Sequence, residues 1–99
     1  MTINTRRKII RRHFVEAIES FEQGAISSRG LAKWVEQSTT QDEMNVINDE
    51  LLSHTFWVAR HLLHRPACWA PSLDELAYLY RCLLGEEEFA QDVAESFRQ

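Results

Sequence analysis

Glu50 and His54 stand one helical turn apart, and His61 and His64 nearly so. Pairs at that spacing on a helix could present ligands to a metal ion. His54 and His61, however, are two turns apart, too far to share one ion, so the histidines read as partly buried or surface side chains and no metal is expected. Nucleophilic catalysis needs a nucleophile beside a base and a turn that binds the oxyanion. The chain has three glycines and no nucleophile elbow among them. No glycine-rich loop is present to cradle a phosphate. Fifteen acidic residues could include a catalytic carboxylate pair, but no spacing singles one out. The expectation is a protein that is not an enzyme and needs no cofactor.

Charge carries more information. "TRRKIIRRHF" (5–14) holds Arg6, Arg7, Lys8, Arg11 and Arg12, with no acidic residue in the first twelve positions. The remaining residues hold six Lys/Arg against fifteen Asp/Glu, a balance of −9 within a chain of net charge −4. Cations at a helix N-terminus oppose the macrodipole, so something must compensate them. Carboxylates of the same fold, or of a second copy, are the first reading; phosphate contact by the arm is the alternative. "ISSRGLAKWVEQSTTQ" hints at a helix-turn-helix, but the segment that would enter the groove, "TQDEMNVINDE", is acidic and would repel the backbone. Nucleic acid is therefore not the expected partner.

Acidic residues gather late in the chain. Glu86, Glu87, Glu88, Asp92 and Glu95 fall in "GEEEFAQDVAES", and Asp74 and Glu75 precede them. Acids early in a helix complement its dipole. Gathered on one face, they also make a negative field that steers in a basic partner. Trp69 sits in a loop between two prolines, where it either plugs the bundle end or marks a binding surface.

The elements that must position these groups are helical. Ile10, Phe14, Ala17 and Phe21 recur at steps of three and four, with Thr5 as cap and Gly24 as stop. Ser27 or Ser28 caps a second helix with Leu31, Trp34 and Val35 on its apolar face. Thr40 and Glu43 have capping-box spacing. They open a helix that runs to about His64, with Asn48 and Asp49, modest helix formers, marking either a kink or a split into two helices. "RPACWAPS" is a loop, because two prolines exclude a continuous helix. Ser72 and Glu75 form a second capping box, before a helix along Leu73, Leu76, Ala77, Tyr80, Leu83 and Leu84 that Gly85 closes. A last helix is expected from Glu86 to about Arg98, turning Phe89, Val93 and Phe97 to one side. No segment alternates with period two. The prediction is one all-α domain over 1–99, a compact bundle of four to five helices, with 1–12 as a basic arm or first helix turns. Cys68 and Cys82 are too few for a disulfide framework, and Cys82 is expected to pack in an apolar helix. No apolar run approaches the roughly 20 residues of a membrane span, and no secretory signal is expected, so the expected location is the cytoplasm.

"FEQGAISSRGLAKWVEQ", followed by "LDELAYLYRCLLGEEEFAQDV", resembles the colicin D-type bacterial immunity proteins, also described as self-protective colicin-like immunity. The residues carrying the resemblance are Gly24, Ile26, Ser27, Leu31 and Trp34, then Tyr78, Tyr80, Glu87, Glu88 and Phe89. It implies a helical domain that neutralises a basic nuclease-type toxin by imitating its RNA substrate with acidic residues. The stretch "INDELLSHTFWVARHLLHRP" and the basic start depart from that pattern. Partner contacts are then expected at Glu86, Glu87, Glu88, Asp92, Asp74 and Glu75, with Tyr78 and Trp69 as apolar anchors. The alternative is a small helical adaptor or homodimer whose basic arm packs on the acidic face of a second copy. A third reading is a nucleic-acid-binding regulator using Arg6, Arg7, Lys8, Arg11 and Arg12.

Overall fold

The computed structural model describes residues 2–65 and 67–98; Pro66, one of the two loop prolines, lies outside the described residues. Every regular element among them is helical, as predicted. There are six α-helices: α1 (Ile3–Glu22), α2 (Ser28–Ser38), α3 (Gln41–Ile47), α4 (Glu50–His61), α5 (Leu73–Leu83) and α6 (Gln91–Glu95). A single 3-10 turn, Leu62–His64, extends α4.

Side-chain caps set most of the boundaries. Thr2, not Thr5, caps α1: its hydroxyl accepts from the Thr5 N–H, so the helix starts three residues before the expected place. Ser27 caps α2, Thr40 caps α3 and Ser72 caps α5, each accepting an N–H from three residues ahead. Gly24 and Gly85 take φ of +79° and +81°, which lets the chain turn out of α1 and α5. The expected long helix after Thr40 is two helices. Asn48 adopts φ +55°, ψ +46° and ends α3, and the Asp49 carboxylate then caps α4 through the Leu52 N–H at 3.1 Å. Asparagine is among the few non-glycine residues that enter this region readily.

The core forms where α1, α2, α4 and α5 meet. Ile10, Phe14, Ala17 and Ile18 of α1 pack with Leu31 and Val35 of α2 and with Leu52, Phe56, Val58 and Ala59 of α4. The Phe14 and Phe56 rings lie nearly parallel, centroids 6.4 Å apart. On α5 the buried stripe is rotated from the one expected. Glu75, Leu76, Tyr78, Leu79, Cys82 and Leu83 face inward, while Leu73 and Leu84 are exposed. The reason is that α5 is enclosed by α4, α1 and α6 together, and a wide stripe centred on Leu79 serves all three.

The last helix is also shorter than predicted. Residues 86–90 are not helical, and α6 is confined to Gln91–Glu95. Acids after a helix stop favour a new helix start, but tertiary contacts win here. The Tyr78 hydroxyl holds the Glu88 carbonyl and the Ala90 N–H, and Phe89 reaches the His54 ring at 5.3 Å.

Asn48 gives a direct test of the α3–α4 junction. Asn48→Val should cost about 1–2 kcal/mol, because a branched side chain resists the left-handed region, whereas Asn48→Gly should change stability by less than about 0.5 kcal/mol. Urea unfolding midpoints of the two variants check this.

Candidate functional site

The acidic residues divide into two populations. Glu86, Glu87, Glu88, Asp92 and Asp74 are exposed. Glu86, Glu87 and Glu88 lie on the non-helical connection from α5 to α6, so the helix turn expected to carry them is replaced by a loop. That loop is tethered. The buried Tyr78 hydroxyl donates to the Glu88 carbonyl at 2.8 Å and accepts from the Ala90 N–H at 3.0 Å. Burial pushes the Tyr78 phenol up, with a smaller opposing effect from the Ala90 N–H, so it stays protonated. Glu87 accepts from Arg81 Nε at 3.0 Å, and the Arg81 guanidinium lies over the Tyr78 ring.

Two of the anticipated contact residues are inside the protein. Tyr78 is 3% exposed and Glu75 is 0% exposed. Neither side chain can meet a partner from outside. Tyr78 instead positions the acidic loop, and Glu75 anchors the C-terminal segment.

Glu75 is the centre of a charged cluster that the sequence reading did not assemble. Its Oε1 accepts from Arg98 Nε at 2.7 Å. Its Oε2 accepts from Arg98 Nη2 at 2.9 Å and from His54 Nε2 at 2.7 Å. Burial alone would push this carboxyl up, but the hydrogen bonds from His54 and Arg98 reverse the sign and hold it below the usual carboxylate range. Glu75 in turn pushes the Arg98 guanidinium further up. The guanidinium stacks over the Trp57 ring at 4.8 Å, and the His54 ring leans on Phe89. One carboxylate on α5 thereby ties together α4 and the chain beyond α6. Beside it lies an open cavity of ≈ 260 Å³ lined by His54, Trp57, Gln91, Glu95 and Arg98. A histidine oriented by a carboxylate suits proton transfer. Here both carboxylate oxygens are occupied and His54 is nearly enclosed, so the set acts as a clamp.

The other histidines join an aromatic cluster at the end of α4. His61 stacks on Trp57 at 4.4 Å and donates from Nδ1 to the Trp57 carbonyl at 2.7 Å. Trp69, 50% exposed, meets His61 edge-on and His64 at 5.3 Å. Trp69 therefore caps this cluster with one side and faces solvent with the other. Among the described residues, no three of His, Cys, Asp and Glu converge as a metal site would require.

The basic arm is the first two turns and more of α1. Arg6 makes a bidentate pair with Glu43 at 2.7 and 2.8 Å and donates to the Ser38 carbonyl at 3.0 Å. Arg6, aided by the Thr39 hydroxyl at 2.6 Å, holds the Glu43 carboxyl at about 2. Arg7 lies 3.3 Å from Asp49, and Arg12 is within 3.8 Å of Glu16. Lys8, Arg11 and Arg12 remain outside the tight pairs, with Lys8 and Arg12 exposed. Glu43 and Glu75 thus share a role. Each is the third residue of a helix capped by Thr or Ser, and each turns its carboxylate away from the cap to receive an arginine from near one end of the chain.

The clamp should dominate stability. Glu75→Gln leaves Arg98 enclosed without its countercharge and should cost roughly 3–5 kcal/mol in chemical denaturation. The Glu75→Ala/Arg98→Ala double variant should lose less than the sum of the two single losses. Acid should act on both carboxylates. Each is more acidic folded than unfolded, so its stabilising effect is complete above the ordinary value of 4.5 and is lost as pH falls below it, for Glu43 down to about 2. Glu43→Gln should flatten the pH dependence of stability in that window, by on the order of 1 kcal/mol after solvent screening.

Compared with protein-family models, curated proteins and solved structures, this chain matches none, so its function is read from the chemistry of its own residues.

Proposed function

We propose that this protein is a non-enzymatic binding protein of the immunity type, which sets Glu86, Glu87 and Glu88 into the basic groove of a protein partner such as a nuclease-type toxin. The observation that carries this reading is the tethered acidic loop. Three consecutive exposed glutamates stand between a left-handed glycine, Gly85, and a double hydrogen bond to the buried Tyr78 hydroxyl. A loop held in advance loses little conformational entropy on docking. Its carboxylates offer negative oxygens of the kind that a groove built for phosphates accepts. Asp92 and Asp74 add negative charge on the neighbouring helices and raise the rate of encounter with a basic surface. Trp69 supplies an exposed apolar surface that can be covered on binding.

The test uses two baits in parallel, the natural chain and the Glu86→Lys/Glu87→Lys/Glu88→Lys variant, each exposed to lysate of the host and eluted with salt. The expected result is one basic protein held by the natural chain, released by salt, and bound more than about tenfold more weakly by the variant, chiefly through a slower on-rate. If the captured protein cleaves RNA, the natural chain should block that cleavage. Equal retention by both baits would overturn the reading. Tyr78→Phe, which removes the tether but keeps the ring, should weaken binding several-fold and cost about 1 kcal/mol of stability.

A further inference from the structure

The acidic-loop reading leaves the basic face of α1 unused. Arg6 is committed to Glu43 and the Ser38 carbonyl. On the adjacent face of the helix, Asn4, Arg7, Lys8 and Arg11 line a cavity of ≈ 270 Å³. They follow the i, i+3, i+4, i+7 pattern that sets side chains on one helix face. Lys8 and Arg11 make no hydrogen bond or ion pair among the described residues. The Nε atoms of Arg7 and Arg11 are shut off from solvent without a hydrogen-bond partner. Arg7 Nε has only the Asp49 carboxylate near it, at 3.3 Å, while Nη1 donates to the Asn4 side-chain oxygen at 3.0 Å.

We infer that this cavity is a binding site for a small phosphate-bearing anion, for which diphosphate is the probe. The chemistry around it is one-sided. The Asn4 carbonyl oxygen is already taken by Arg7 Nη1 at 3.0 Å, so its amide N–H₂ is the group left to offer. Every other lining side chain is a donor and a cation. Three cations beside one carboxylate, Asp49, leave two positive charges, which match a phosphate dianion. Guanidinium forks suit tetrahedral oxyanions, and a lysine adds a mobile point charge. The first turn of α1 contains no acidic residue, so its dipole adds to the attraction. The cavity falls short of the roughly 300 Å³ at which sites for larger organic ligands begin, which favours a small anion. The inference does not depend on the acidic loop, and the two can fail separately.

Titration of the ¹⁵N-labelled protein with sodium diphosphate at constant ionic strength tests it. Saturable shifts are expected in amides of the first half of α1. The Lys8→Gln/Arg11→Gln variant should bind at least about tenfold more weakly, while Arg29→Gln/Lys33→Gln, at two exposed positions of α2, should bind as the natural chain does. The Glu86→Lys/Glu87→Lys/Glu88→Lys variant should keep diphosphate binding. Shifts that do not saturate, or equal affinity in the Lys8/Arg11 variant, would overturn the site. So would binding of a short RNA that diphosphate does not displace, which would place the surface on a nucleic-acid backbone instead.

Discussion

A carboxylate with no exposed surface has to be met by donors, and Glu75 is met three times, twice by Arg98 and once by His54. Removing an ion pair from water costs several kcal/mol per charge, so such a group persists only with saturated geometry. Saturation here recruits distant parts of the chain. His54 fixes the facing of α4, Arg98 fixes the segment after α6, and Trp57 covers the guanidinium. The path from α5 to α6 follows from those anchors. The chain must leave Leu83, pass the Tyr78 hydroxyl, place Phe89 on His54 and bring Arg98 back to Glu75. The acidic loop is what that path exposes.

Glu43 repeats the device on α3, less deeply. Its partner Arg6 reaches it from the first turns of α1, and Thr39 helps hold it. Arg7 beside Asp49 adds a second link near the α3–α4 junction. The arm that looks out of place in an acidic chain is therefore partly structural: its first two arginines meet acids of α3 and the cap of α4. Its remaining cations are not consumed in this way. Charge that stabilises the fold and charge left over for a ligand sit within two turns of one helix.

Much of this fold was legible in local patterns. Caps at Ser27, Thr40 and Ser72 follow from one hydroxyl and the N–H three residues on, and the stops at Gly24 and Gly85 follow from backbone freedom. The all-α class follows from stripes such as Ile10, Phe14 and Ala17. What was not legible lies at long range. Glu75 and Arg98 are 23 positions apart, and Glu75 and His54 are 21 apart, with no periodicity to join them. Glu75 read as a dipole-complementing acid at a helix start, and locally it is one. Only the packing of three elements around α5 turns it inward. The same enclosure moves Tyr78 from an expected contact surface to the interior and leaves Leu73 outside. The basic cavity was visible as charge but not as shape, since which of these cations meet a carboxylate depends on where α3 and α4 come to rest.

The position of Arg98 bears on the order in which the chain can close as it is made. Synthesis delivers α4 and α5, with His54 and Glu75, before it delivers the guanidinium that completes the clamp. In that interval α5 carries a carboxylate with one partner where two are needed, and pressing it onto α4 would strand a charge in apolar surroundings. The helices α1, α2 and α4 also pack on one another, within the same core that α5 completes. The docking of α5 is therefore coupled to that of Arg98, and the acidic loop between them takes its shape together with both.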